Sequence, residues 1–316
     1  MLSRRHLRVK VLQALFAYQR SGNDELIKGE KLLKLSLDRI FDLYIHQLSL
    51  IIEVHSFAKM QMEDSKKKKL PTKEDLNPNP RFIQNPVLLQ LAENPQLQKE
   101  MERTKVGWKE HSELIRRIYG SFRKDEAYLA YMNAEEVSYK DSRRVIFKLY
   151  EDFIVSNEHL QSIFEEKSMY WVNDFEQVSA MVVRTLSDFK KDDATGGKLP
   201  NMYKDETEDK AFVLDLFRKT ATYNADLQKM VADKLENWDP DRIASIDILL
   251  MKMALCEFLY ISSVPTKVTM NEYIEISKEY STPKSKGFIN GILDKILGEL
   301  KKDGKIKKMG KGLIES

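Results

Sequence analysis

The chain has 316 residues, of which 42% are hydrophobic, with 52 Lys and Arg against 49 Asp and Glu and a single cysteine, Cys256. This apolar content is enough for the core of one large or two ordinary domains, and it excludes disorder throughout the chain. One thiol excludes an internal disulfide and the five histidines show no zinc-ligand spacing, so we expect neither a structural metal nor a cofactor.

Glycine and proline are scarce, at 12 and 9 residues, while Leu, Lys and Glu are abundant. This composition indicates helices rather than a β-sandwich or barrel. No apolar run approaches the ~18 residues of a membrane span, and the basic start lacks the apolar stretch of a secretory signal. We therefore expect a soluble, cytoplasmic, all-α protein.

Charge is distributed unevenly along the chain. Residues 1–20 hold five basic residues and no acid, and residues 284–316 hold nine lysines against four acids. The remainder, 21–283, is acidic overall. Basic ends on an acidic chain predict that a polyanion binds where the termini meet.

The first two thirds of the chain predict a series of amphipathic helices. Apolar spacing predicts a first helix over 3–20, capped by Ser3, and a long second helix over 29–62. Four prolines then predict a loop near 70–86, because each removes a backbone donor and disfavours helix before it. We expect three or four further helices between 87 and 191.

The last third carries clearer signals for four helices and a tail. The helices are predicted over about 205–235, with a possible break at Asn224; from an Asp239-Pro240 start to about 260; over 270–280, with a Thr269–Glu272 capping box; and from Pro283 to about 302. The Lys-rich segment 303–316 is predicted to be a flexible basic tail.

The opening helix has an unusual charge pattern. Arg4, Arg5 and Arg8 lie in its first two turns, where the positive end of the helix dipole disfavours each cation by ~0.3–1 kcal/mol. An anionic ligand would account for them, because guanidinium groups bind phosphate bidentately. A solvated basic face, or pairing with the chain's own acids, is the open alternative.

Near the other end, Lys284 and Lys286 flank Phe288, whose ring offers a plane for a nucleic-acid base, although an aromatic at helical spacing is commonly part of the core. Catalytic motifs are lacking: there is no GxGxxG, GxSxG or HExxH, and Cys256 lies in an apolar helical stripe. The sequence therefore predicts a binding protein rather than an enzyme.

Two separated parts of the chain together resemble the NusB family of bacterial transcription antitermination factors. The similar segments are SRRHLRVKVLQALFAYQ at 3–19, DPDRIASIDILLMKMALCEFL at 239–259, VPTKVTMNEYIEISKEY at 264–280 and SKGFINGILDKI at 285–296. The last segment matches the family's Phe-x-Asn-Gly-x-Leu-Asp signature. The resemblance implies two small helical bundles of NusB type, built from 1–20 and 205–302 and extended by a helical insertion at 21–204.

The resemblance also implies a function without catalysis. Proteins of this family bind the boxA segment of nascent ribosomal RNA together with NusE, a ribosomal protein, within an RNA polymerase antitermination complex. We therefore expect single-stranded RNA and NusE as partners. Two alternatives are a helical protein-interaction adaptor and an RNA-binding relative of the N-terminal domain of rRNA methyltransferases.

The family motifs assign roles to individual residues of this chain. The predicted RNA-binding face consists of Arg4, Arg5, Arg8, Lys284, Lys286 and Phe288. The acid that faces NusE falls on Asp247. We expect structural roles for four further matches, with the glycine permitting close helix approach: Asn271, Glu272, Asn290 and Gly291.

Overall fold

A computed structural model describes residues 2–22, 25–193, 196–235 and 243–314, and all regular secondary structure within these ranges is helical. Contacts divide the chain into two compact units. Unit 1 contains residues 1–37 and 202–316, and unit 2 contains residues 38–201. None of the described helices is both long and apolar enough to span a membrane.

The described residues form fifteen α-helices. In chain order they are α1 (Arg4–Arg20), α2 (Leu26–Lys66), α3 (Lys73–Leu76), α4 (Pro86–Ala92), α5 (Pro95–Thr104), α6 (Ser112–Phe122), α7 (Glu126–Asn133), α8 (Tyr139–Lys148), α9 (Glu158–Lys167), α10 (Phe175–Asp188), α11 (Glu206–Thr222), α12 (Asn224–Ala232), α13 (Ser245–Tyr260), α14 (Thr266–Tyr280) and α15 (Ser285–Lys302). Unit 1 holds α1, the start of α2 and α11 to α15, and unit 2 holds the rest.

Helix α1 begins as the sequence predicts. The Ser3 side chain accepts a hydrogen bond from the backbone N–H of His6, which confirms the predicted N-cap. Leu7, Val11 and Leu15 are fully buried on one face of α1, which packs mainly against α11. The opening helix is thereby fixed to the C-terminal part of the chain.

Helix α13 is the centre of unit 1. It contacts α1, α11, α12, α14 and α15, so that Leu250, Met253 and Cys256 are fully buried. Burial raises the pKa of the Cys256 thiol to about 12, which makes it an inert core group. The predicted Asp239-Pro240 start of this helix lies outside the described residues.

Helix boundaries in the last third agree with the sequence in part. The predicted break at Asn224 is confirmed, because α11 ends at Thr222 and α12 begins at Asn224. Helix α14 begins at Thr266 rather than near 270. The predicted capping box is wrong, since Thr269 lies inside the helix and its hydroxyl donates to Glu257.

Unit 2 contains more helices than the sequence predicts. Seven helices, α4 to α10, occupy the region where three or four are predicted. Asn85 and Asn94 each cap a new helix whose first residue is proline, so the chain restarts helices where the prolines suggest loop. A π-helical turn at Leu149–Val155 adds a further interruption after α8.

Aromatic side chains fill the core of unit 2. The rings of Phe82, Phe122 and Tyr128 pack with centroids 4.9–5.6 Å apart. His46 is buried beside Trp171, at 5.0 Å between ring centroids. Burial lowers the pKa of His46 to about 4, so this imidazole is neutral at physiological pH.

Residues 303–314, here called the C-terminal strap, make specific contacts with unit 1, whereas the sequence predicts a flexible tail over 303–316. The Lys308 ammonium donates to the backbone carbonyls of Glu257 and Ile261 at 2.7 and 2.8 Å. The N–H of Met309 donates to the carbonyl of Ser262. These contacts satisfy the carbonyls at the C-terminal end of α13, an interaction between distant residues that composition does not reveal.

Candidate nucleic-acid interface

Each arginine of the opening turn pairs with a carboxylate of unit 1, but their exposure differs. Arg4 donates from Nε to Asp209 at 2.7 Å and lies 3.6 Å from Glu208. Its guanidinium also stacks 4.6 Å above the ring of Phe212. About a third of the Arg4 side chain, 35%, remains exposed, so the group is held in place yet open to a ligand.

Arg5 lies on the surface beside α14. Its Nε and Nη2 both donate to the carboxylate of Glu272 at 3.0 Å, and 42% of the side chain is exposed. The hydrogen bond to Glu272 raises the pKa of Arg5, with the charges of Glu275 and Glu279 adding to the effect. The guanidinium is therefore oriented by one carboxylate while part of it faces solvent.

Arg8 corrects the prediction of three surface arginines. Its side chain is only 1% exposed and forms a bidentate pair with Glu257 at 2.7 and 2.8 Å. Burial alone would lower the pKa of Arg8, but the charge and hydrogen bonds of Glu257 outweigh it and raise the pKa. Arg8 is thus part of the core and not of an RNA-binding face, because α13 and α14 cover it.

The partner of Arg8 is the hub of a buried polar network. The Glu257 carboxylate also accepts hydrogen bonds from the hydroxyls of Thr269, at 3.0 Å, and Tyr273, at 2.8 Å. Both donors lie on α14, whereas Glu257 lies on α13 and Arg8 on α1. One carboxylate therefore joins three helices, and its full set of donors offsets the cost of burying it.

Asp247 is buried within unit 1, which corrects the prediction that it lies on a surface facing NusE. The side chain is buried, and its carboxylate accepts hydrogen bonds from the hydroxyls of Ser281 and Ser285. Those serines flank the turn between α14 and α15. Asp247 therefore anchors that turn to the start of α13.

The turn held by Asp247 presents the second group of predicted residues. Lys284 and Lys286 are exposed at the start of α15, and Phe288 is half-buried one turn later. The pKa of Glu275 on α14 is lowered, first by a hydrogen bond from Lys278 and further by the charges of Arg5 and Lys286. The basic groups of the two chain ends are therefore close enough to act on one carboxylate.

The positions of Asn290 and Gly291 differ from those that their predicted structural roles require. Asn290 and Gly291 are both exposed on α15. A Cβ added at Gly291 would meet nothing within 4 Å, so this glycine does not permit a close helix approach. Asn271 is likewise exposed on α14, whereas Glu272 pairs with Arg5.

Sequence reasoning missed one cation beside Arg4. Lys311 of the C-terminal strap lies 3.2 Å from Glu208, the same carboxylate that Arg4 approaches. The signal that could have located it is the run of glycines among the lysines, since Gly304 and Gly310 have the positive φ angles of turns. Gly312 packs against the backbone of Ser262 and holds the strap in place.

Comparison with known proteins finds similarity in the part of this site that α11 to α15 contribute. A model of the NusB family matches residues 175–298. Transcription antitermination protein NusB of Chloroherpeton thalassium is 38% identical over 126 residues, which cover 40% of this chain and 60% of that protein. The NusB protein of Salinibacter ruber is 43% identical over 103 residues, covering 33% and 64%.

A third similar protein, NusB of Natranaerobius thermophilus, is 42% identical over 67 residues, covering 21% of this chain and 48% of that protein. The chain therefore matches about half to two thirds of the length of these relatives. No solved structure matches the chain. The family match begins at α10 in unit 2 and continues through most of α15 in unit 1, so Arg4 and Arg5 lie outside it in sequence although they contact it.

Proposed function

Because residues 175–298 carry a domain of the NusB family, we propose that this chain is a non-enzymatic transcription antitermination factor of the cytoplasm. The proposed ligand is single-stranded RNA from the boxA region of nascent ribosomal RNA. It is bound together with the ribosomal protein NusE in an RNA polymerase antitermination complex. The observation that carries the proposal is that Arg4 and Arg5 of the opening helix pair with Asp209 and Glu272 of the matched region while 35% and 42% of their side chains remain exposed.

The proposed RNA face consists of the accessible cations Arg4, Arg5, Lys284 and Lys286, with Phe288 at its side. Exposed ion pairs contribute only about 0–1 kcal/mol, so Glu272 orients Arg5 without preventing a phosphate from binding the same guanidinium. RNA is recognised mainly through unpaired bases, and a half-buried phenylalanine offers a rigid ring for one of them. Arg8 is left out because it is buried.

Fluorescence anisotropy tests whether the chain binds RNA as proposed. A labelled single-stranded RNA with a boxA-like sequence is compared with a scrambled RNA of the same composition, at several salt concentrations. The Arg5→Ala, Lys286→Ala double variant should weaken boxA binding by about tenfold or more and flatten its dependence on salt. Each lost phosphate contact on a single strand removes roughly 0.7 from the slope of log affinity against log salt.

Arg218→Ala is the matched control. Arg218 also makes a bidentate surface pair, with Glu30 at 2.6 Å, and its side-chain exposure of 46% is close to the 42% of Arg5. It lies near the far end of α11, so its loss should leave RNA affinity unchanged. Equal affinity for both RNAs would favour an interaction adaptor, and equal losses in the two variants would contradict the assigned face.

A pull-down with purified NusE, with and without RNA, tests the proposed protein partner separately. Binding of NusE that RNA strengthens is the expected result for a shared complex. Asp247→Asn serves as a control, since that side chain is buried and its loss should alter stability before it alters NusE binding. Failure of NusE to bind in both conditions would remove this partner from the proposal.

A further inference from the structure

We propose that the C-terminal strap is part of the RNA-binding surface, with Lys311 forming its contact beside Arg4. The strap consists of residues 303–314 and lies beyond residue 298, where the family match ends. The inference rests on the proposed RNA-binding function and extends it to a segment that neither the family match nor the sequence motifs assign to the site.

The strap follows a defined path over the ends of three helices. It leaves the C-terminus of α15, and Lys308 then donates to carbonyls at the C-terminus of α13. Lys311 reaches Glu208 in the first turn of α11. Because Arg4 contacts the same turn of α11, the strap ends beside the opening arginines.

Gly312 fixes the position of Lys311. A Cβ at this residue would lie 1.9 Å from the carbonyl oxygen of Ser262, a distance at which the backbones must separate. The N–H of Met309 also donates to that carbonyl. Close backbone packing therefore holds the strap, while the Lys311 side chain pairs with Glu208 and stays 75% exposed to solvent or a ligand.

The charge balance around Arg4 gives the strap cation a role. Two carboxylates, those of Glu208 and Asp209, face the single guanidinium of Arg4. Lys311 neutralises Glu208, the more exposed of the two, and so favours the approach of phosphates to Arg4.

Four variants test the proposal, measured by anisotropy with the labelled boxA-like RNA. Lys311→Gln removes the charge and leaves the backbone intact, whereas Gly312→Ala keeps every charge and displaces the strap. Lys229→Gln is the charge-matched control, because this exposed lysine lies on α12, which follows the end of α11 opposite to Glu208. Gly298→Ala is the glycine control, since a Cβ there meets nothing within 4 Å.

Lys311→Gln should weaken RNA binding about three- to tenfold and lower the salt slope by roughly 0.7, with an unchanged melting temperature. Gly312→Ala should lose at least as much affinity, with faster hydrogen exchange at Met309. Both controls should bind normally. Wild-type affinity in Lys311→Gln and Gly312→Ala overturns the strap proposal alone, and so do equal losses of affinity in the two controls. If the wild-type chain does not bind the RNA, both the proposed function and the strap proposal are overturned.

Discussion

Removing one partner of the Arg8–Glu257 pair should destabilise the protein far more than removing any surface arginine. Arg8→Met keeps most of the side-chain volume and leaves the Glu257 carboxylate, which is 0% exposed, with only two hydroxyl donors, from Thr269 and Tyr273. Breaking a buried pair in this way costs about 3–5 kcal/mol. Arg5→Ala, which breaks an exposed pair, should cost at most about 1 kcal/mol.

Urea denaturation followed by circular dichroism measures the free energy of unfolding for each variant, and hydrogen exchange in α13 reports local opening. An Arg8→Met, Glu257→Met double variant should recover much of the loss, because it leaves no unpaired buried charge. A loss below about 1 kcal/mol in Arg8→Met would refute the assignment of Arg8 to the core.

Three further predictions test other parts of the fold. As pH falls from 6.5 to 4, wild type should lose up to about 3 kcal/mol because unfolding lets the buried His46 bind a proton, and urea titrations of His46→Gln should show a smaller loss. Asp247→Ala should cost about 1–3 kcal/mol by leaving two serine hydroxyls without their acceptor, measured as a lower melting temperature. Gly29→Ala should destabilise the protein by about 1–3 kcal/mol, because its Cβ would lie 2.6 Å from the Phe217 ring. Gly291→Ala should be neutral or stabilise the protein by up to about 1 kcal/mol, because its Cβ meets nothing within 4 Å. A Gly291→Ala variant less stable than Gly29→Ala would contradict this packing.

The sequence predicts helices well where the determining interactions are local. The Ser3 cap and the break at Asn224 depend on residues within one or two turns, and both are confirmed. The prolines before α4 and α5 are harder to interpret, since proline both ends helices and favours their first position. Here each proline begins a helix, because the buried Asn85 and Asn94 side chains cap α4 and α5. Unit 2 therefore has more helices than predicted.

The sequence does not show which charged residues become buried. Arg4, Arg5 and Arg8 share one motif and one helix, yet Arg8 pairs with a carboxylate 249 positions away in the chain. Asp247 similarly finds its serine donors only after α14 and α15 have packed. Helical spacing identifies which side of α1 is apolar, but it does not show which other helices will cover the remaining sides.

The three opening arginines therefore have different tasks, and this alters how their role in RNA binding must be measured. Their unfavourable position at a helix N-terminus is offset by carboxylates of α11, α13 and α14, so helix stability alone no longer requires a ligand. A triple alanine variant would lose RNA affinity through unfolding. Arg4→Ala, Arg5→Ala with Arg8 intact should keep the melting temperature within a few degrees and lower the salt slope by about 1.4, the value for two phosphate contacts on a single strand. An unchanged slope in this double variant, titrated beside Arg218→Ala, would mean that the accessible arginines serve only the fold.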